Sequence, residues 1–380
     1  MKKNTVKYQI IIPLIFFFVI SYISIYSASK SFSSSDILTK QVIWYIIGFL
    51  VILITSKVKC KMIIDYSPFL YVIGNVMLLG LLIFGKEING SKCWFIIPKI
   101  GSFQPSEFMK LILIITNVKV FRYFEQKYNN SFTFKTDLKI FLSVMLITAL
   151  PSILTFLEPD TGMVIIYFLI STVMLFAFGI RKSIFIILIL LIGIFMAAFL
   201  YFYFNYQDNF INIFGTSFFY RIDRLLNWSN KSGMQITHAI AAIKASGFFG
   251  FGIGNTPIYI PEPHTDFIFS VYASNTGLVG SVILIILIII FDEGLFSIAS
   301  KSSDKSFKYV VVGFSTMIIY QQVQNIGMNI GILPITGITL PFISYGGSSL
   351  LSYMLGIALI LNYDSKAFKN SITKTQGSLS

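Results

Sequence analysis

The nine residues Pro261–Phe269 (PEPHTDFIF) place two carboxylates, Glu262 and Asp266, and an imidazole, His264, at the mouth of an apolar run. That run continues from Phe267 to Phe291, broken only by the small-polar patch Ser274–Gly277. Charged residues make up 12% of the chain, so acids gathered where an apolar helix begins call for a reason. A carboxylate there is costly unless it is paired, hydrated or chemically employed. Partial desolvation raises a carboxyl pKa, which suits Asp266 to general-base chemistry. The same residues also suit a helix start: Thr265 or Asp266 stands where a cap is favoured, and negative charge complements the helix dipole. Both readings stay open at this point.

Other clusters carry weaker chemistry. In Gln104–Lys110 (QPSEFMK), Pro105 fits a first helical turn, and Glu107 and Lys110 are spaced to pair on one helix face. A structural ion pair and a substrate contact are equally compatible with that spacing. Glu158–Gly162 (EPDTG) reads as a tight turn whose two acids are too few to specify a cation site. Arg221 and Arg224 have the forked guanidinium that matches a phosphate, or that pairs with Asp208 or Asp223. His238 and His264 lack ligand spacing to each other, and structural hydrogen bonding accounts for both. Cys60 and Cys93 form neither a disulfide framework nor a zinc pattern.

Long apolar segments must position these groups. Hydrophobic residues make up 55% of the 380, and 39 are Phe. Apolar runs centred near residues 18, 49, 76, 115, 148, 170, 194, 278, 317 and 353 predict ten transmembrane helices. The first run follows a basic start without a small-residue cleavage site and reads as a retained span. If the N-terminus is cytoplasmic, 19 of the 29 Lys and Arg fall inside with 7 of the 16 acids; the positive-inside rule selects that orientation. The net charge of +13 is therefore an orientation feature spread over short loops, and nucleic-acid binding is disfavoured. The chain reads as a single all-α membrane domain, residues 1–380, with an extracytoplasmic loop at 205–265 between spans seven and eight and a cytoplasmic tail at 364–380. The uncharged, Gly- and Pro-bearing Asn325–Leu351 reads as a re-entrant packing element, since irregular backbone at membrane depth must be buried in protein or line a cavity.

Together these motifs resemble the SEDS family (shape, elongation, division and sporulation), which includes the RodA, FtsW and SpoVE proteins. The resemblance rests on Gly90 and Trp94 in NGSKCW, Gln104–Lys110, Pro159–Gly162, Arg221, the glycines Gly247, Gly250, Gly252 and Gly254, Pro261–Phe269 and Asn325–Ser349, in family order across most of the chain. It implies a peptidoglycan glycosyltransferase that polymerises lipid II, an undecaprenyl-diphosphate-linked disaccharide-pentapeptide, at the outer face of the bacterial cytoplasmic membrane. It further implies a class B penicillin-binding protein as transpeptidase partner, alongside other membrane proteins of the elongation or division machinery. Asp266 matches the family's essential residue and becomes the catalytic base. Arg221, Lys110, Glu107, Glu262, Trp94 and Gln235 become substrate-binding residues, and a divalent cation, Mg or Mn, is a candidate for the leaving diphosphate. No organic cofactor is expected.

The chain leaves the family pattern in three places. Ser274 and Asn275 stand where a pair of glutamates is usual, His238-Ala239 replaces a common Gln-Ser pair near Gln235, and Trp228 replaces a Pro. Short tails lean toward the elongation type, whereas TGITLPF and YSAS lean toward the division type; the balance falls slightly on RodA. Two rivals remain: a lipid II flippase, disfavoured by spans nearly free of ionisable groups, and a non-enzymatic scaffold of the wall-synthesis complex.

Overall fold

A backbone in hydrocarbon must satisfy its own N–H and C=O groups, and a helix does so within one segment. The computed structural model describes residues 2–30, 36–55, 60–88, 91–97, 101–129, 132–226 and 234–376. Each predicted run is a helix of 18 residues or more: α1 (Lys2–Ser29), α2 (Asp36–Thr55), α4 (Ser67–Phe84), α5 (Pro105–Tyr128), α6 (Phe134–Leu157), α7 (Thr161–Phe178), α8 (Lys182–Asn205), α12 (Ile268–Lys301), α13 (Lys305–Asn329) and α14 (Gly347–Gln376). Short helices α3 (Cys60–Asp65), α9 (Gln207–Phe214), α10 (Thr216–Leu226) and α11 (Met234–Ala245) complete the helical set. Among the described residues, seven helices, α1, α2, α4, α6, α7, α8 and α12, are long and apolar enough to cross a membrane. The protein is a mostly helical, multi-pass membrane protein.

Helix α5 lies at the centre of the bundle, packed by α4, α6, α7, α13 and α14, while α1 runs along α12 and α2 along α14. This position explains why α5 carries polar groups that a lipid-facing helix could not. Asn117 of α5 donates to Ser171 of α7 (3.1 Å), whose hydroxyl pairs with Thr148 of α6 (2.6 Å), a polar tie of the kind that joins helices in membranes. Helix α8 stands at the opposite extreme: Ile184 and Tyr203 are its buried residues, Phe185 and Leu188 pack against the core, and most of the apolar remainder faces outward. An outward face of Ile, Leu and Phe is the surface lipid requires.

The expected all-α architecture needs one correction. Between α4 and α5, β1 (Lys86–Ile88), β2 (Ser91–Ile97) and β3 (Gly101–Phe103) form an antiparallel sheet in the order β1-β2-β3, with Phe95 opposite Phe103. Its strands are too short, and its turns too close, to stand out from hydropathy alone. The 205–265 segment also contains the helices α9, α10 and α11, and α11 packs along α12.

One helix is broken. Within α12, Gly277 takes φ 67° and ψ −160°, a conformation favoured in glycine. The break follows the small-polar patch that interrupts the apolar run, with Ser274 and Asn275 buried just before it.

Candidate catalytic cavity

Pro261–Phe267 is irregular and meets the equally irregular residues between α13 and α14. The C-terminal part of α13 supplies the clamp. Asn325 and Asn329, one helical turn apart, both donate side-chain N–H groups to the Asp266 carbonyl, at 2.8 and 3.0 Å. Asn325 also donates to the Ile338 carbonyl (2.8 Å), tying both irregular segments to one side chain. Ser344 donates to the Thr265 carbonyl (2.7 Å), and the Tyr345 N–H donates to the His264 carbonyl (2.8 Å). Buried carbonyls outside a helix need such partners, so the uncharged segment doubles as the cradle of the Asp266 backbone.

The Asp266 carboxyl is left to the cavity. The N-cap of α12 is Phe267, with no side-chain cap, so the capping role open to Asp266 is not the one it takes. Among the described residues its carboxyl has no hydrogen bond or ion pair, and it lines a cavity of about 480 Å³. Burial, reinforced by the negative charges of Glu262 and Asp160, pushes its pKa up to about 7. Glu262 lines the same cavity and holds a left-handed φ of 44°, an uncommon conformation for a side-chain-bearing residue and one found at functional sites. His264 lines it too, stacked obliquely on Tyr345 at 5.8 Å; burial lowers its pKa, favouring the neutral imidazole.

The opposite wall comes from β2, α5 and the α6–α7 turn. Trp94 on β2 faces the cavity beside Cys93, whose thiol donates to the Glu158 carbonyl (3.1 Å). Asp160 caps α7 through the Met163 N–H (3.2 Å) and accepts from Gln104 Nε2 (3.0 Å). Its pKa rises to about 6, chiefly through burial, and that of Glu158 to about 8, through burial and the Asp160 charge. Glu107 borders the cavity floor, pairs with Lys110 at 2.6 Å and accepts from Ser349 Oγ at 2.9 Å. Lys110 is fully buried, bonded to Gln321 (3.4 Å), with its ammonium 5.1 Å from the Tyr353 ring centre.

Of the residues expected to bind substrate, Trp94, Glu107 and Glu262 thus share the cavity with Asp266, and Lys110 stands behind Glu107. Gln235 is on the exposed side of α11 and does not border this cavity. Arg221 belongs to α10 by its backbone, but its side chain, like that of Arg224, lies outside the described residues, as do Gly90 and Trp228. Ser274 and Asn275 also stand apart from the cavity, as part of the α12 break. Sequence reasoning passed over Asn325, Asn329 and Ser349 as individuals. Two asparagines four residues apart in the uncharged C-terminal part of α13 were the available sign, because that spacing puts both on one face.

Cation binding has a specific structural requirement. Glu107, Asp160, Glu262 and Asp266 all border the cavity, but among the described residues no three acids, His or Cys converge as ligands.

Comparison with known proteins places this geometry. Residues 4–369 match the model of the cell cycle protein family that covers FtsW, RodA and SpoVE. The chain is 31% identical to the probable peptidoglycan glycosyltransferase FtsW of Coxiella burnetii, covering 95% of this chain and 97% of that protein. It is likewise 31% identical to the stage V sporulation protein E of Bacillus subtilis, with the same coverage of both chains. Among solved structures, it resembles a chain from a peptidoglycan synthase complex that coordinates polymerization and crosslinking, with a TM-score of 0.74, 25% identity, and coverage of 93% of this chain and 97% of that one. The rod shape determining protein RodA of Thermus thermophilus shares the fold at a TM-score of 0.68 and 24% identity, over 95% of this chain and 97% of that one. A match over nearly the whole length leaves one assignment: the chain belongs to the FtsW, RodA and SpoVE family of cell cycle proteins.

Proposed function

We propose that this protein is a peptidoglycan glycosyltransferase that polymerises lipid II, with Asp266 as general base. The observation that carries the reading is the Asp266 carboxyl itself. Its backbone is clamped by Asn325 and Asn329, its side chain has no partner among the described residues, and it faces a cavity large enough for part of a sugar headgroup. In the reaction, a sugar hydroxyl loses its proton to Asp266 as its oxygen bonds to the anomeric carbon of the second substrate. The bond from that carbon to the lipid diphosphate breaks, and the diphosphate carries away the electron pair. A base with a pKa near the working pH is best matched to this task.

Trp94 offers an apolar face to a sugar ring, and Glu262 and Asp160 hold the Asp266 proton affinity high. Lys110 acts through Glu107, because its charge is already neutralised there. Arg221, on the long loop, is the residue best suited to the leaving diphosphate by its chemistry. A divalent cation would have to draw part of its shell from diphosphate oxygens, as Mg²⁺ commonly does; no step here depends on one. The ten long helices are read as ten spans with both termini cytoplasmic, which puts the cavity at the outer face of the cytoplasmic membrane. A class B penicillin-binding protein is the proposed partner, whether in division or elongation.

The decisive experiment is polymerisation of labelled lipid II by purified protein, with and without a cognate transpeptidase, comparing wild type with Asp266→Ala and Asp266→Asn. Both variants are expected to lose at least about 10²-fold in rate, the usual contribution of a positioned base. Glycan strands made equally well by either variant would refute the assignment. Headgroup translocation that survives Asp266→Ala, without polymerisation by the wild type, would favour the flippase reading.

A further inference from the structure

A broken membrane helix leaves N–H and C=O groups that hydrocarbon cannot satisfy. At the Gly277 break of α12, the loop at residues 246–256 supplies the missing partners. The N–H groups of Phe251 and Gly252 donate to the carbonyls of Ser274 and Asn275, both at 3.0 Å. Beyond the break, the N–H groups of Leu278 and Val279 donate to the carbonyls of Gly247 and Phe248, at 3.0 and 3.1 Å. The contact is so close that a Cβ on Gly250 would stand 2.4 Å from the Asn275 carbonyl carbon. The loop backbone is therefore riveted to α12 at a set depth.

Its side chains point the other way. Phe248 is 68% exposed and Phe249 80% exposed, and Ile253 is also exposed. From Ala245 to Pro261 the chain has no charged residue, which is not the composition of a loop immersed in water. The rivet also joins this apolar tip to a lipid-facing surface, because the next residues of α12, Leu278, Val279 and Val282, are exposed and begin its outward apolar side.

We infer that Phe248 and Phe249 form a membrane-interface anchor, inserted among the acyl chains of the leaflet on the cavity side. Large apolar side chains on a rigid, uncharged backbone gain by this insertion what they would lose in water. The anchor sets the height of the catalytic cavity: the α12 segment from Ile268 to Gly277 spans roughly 15 Å at the helical rise, with Asp266 just beyond its upper end. This inference does not depend on the proposed reaction.

The test is fluorescence of Phe249→Trp, and separately Phe248→Trp, in full-length protein reconstituted into nanodiscs. The discs contain phosphatidylcholine and phosphatidylglycerol brominated either near the headgroup or near the chain terminus. The parent protein, with its three Trp, provides the background. Added emission from the new Trp should be blue-shifted, quenched more strongly by shallow than by deep bromines, and shielded from aqueous iodide. Emission that is quenched by iodide and untouched by both lipids would overturn the inference; a surface reserved for a protein partner would give that result in partner-free discs. Two separate Trp positions keep the test decisive if either variant fails to fold.

Discussion

Asp266 combines a fixed backbone with an uncommitted carboxyl, and the two properties come from different residues. Asn325 and Asn329 spend their side-chain N–H groups on its carbonyl, while Glu262 and Asp160 act on its charge. A carboxyl titrating at about 7 is mostly protonated below that pH, so polymerisation should fall as pH drops through 7. Replacing Glu262 with Gln removes one of the two negative charges that raise the pKa. The acid limb of the pH–rate profile should therefore move to lower pH, with a smaller change in the plateau rate. An unmoved limb would mean that Glu262 does not act on Asp266. Stability carries the opposite sign to activity. The folded state binds the Asp266 proton more tightly than the unfolded chain does, so this group's contribution to stability falls as pH rises from about 4 to about 7.

Among the elements, the divergence at Ser274 and Asn275 acquires a physical account. Asn275 does not point to the cavity. Its Oδ1 accepts from the Gly254 N–H (2.7 Å), and its Nδ2 donates to Thr256 Oγ1 (3.2 Å) and the Val271 carbonyl (2.6 Å). An amide can accept and donate at once, whereas an ionised carboxylate can only accept; the Asn therefore splices loop to helix on both sides. Asn275→Ala should cost about 0.5–1.5 kcal/mol by removing the amide that bridges Gly254, Thr256 and the Val271 carbonyl, with Ser27 Oγ (2.9 Å) still accepting from the Gly254 N–H, read as a lowered midpoint of thermal unfolding in detergent. Gly250→Ala should also lower that midpoint, because its φ of 74° and the 2.4 Å approach to Asn275 leave no room for a methyl group. An unchanged midpoint in either variant would contradict the splice.

Across the whole molecule, the buried Glu107–Lys110 pair ties the central helix to its neighbours. Lys110 reaches Gln321 of α13, Gln321 reaches Tyr353 of α14 (2.9 Å), and Ser349 and Ser352 of α14 return to Glu107 at 2.9 and 2.8 Å. Breaking one side of a buried ion pair leaves an uncompensated charge. Lys110→Met alone should cost about 3–5 kcal/mol, whereas the double change Glu107→Gln with Lys110→Met should recover most of that loss. Detergent-phase unfolding of the wild type, single and double variants measures the difference. A double variant as unstable as the single would show that the two residues act apart.

The apolar runs and the i, i+3 spacing of Glu107 and Lys110 were enough to place ten long helices and one ion pair, because both depend on distances along a single helix. They also marked Asp266 as a costly acid at a helix mouth. What they left open was decided by contacts between residues more than fifty positions apart. Asn329 lies 63 residues after the carbonyl it clamps, and Gln104 lies 56 before the aspartate it holds. The short sheet that presents Trp94 was hidden for a related reason, since strand pairing depends on a neighbouring strand rather than on one segment's hydropathy. Local periodicity thus determined which segments form the long helices. Only tertiary packing decided that Asp266 faces an open cavity with its backbone held and its carboxyl unspent.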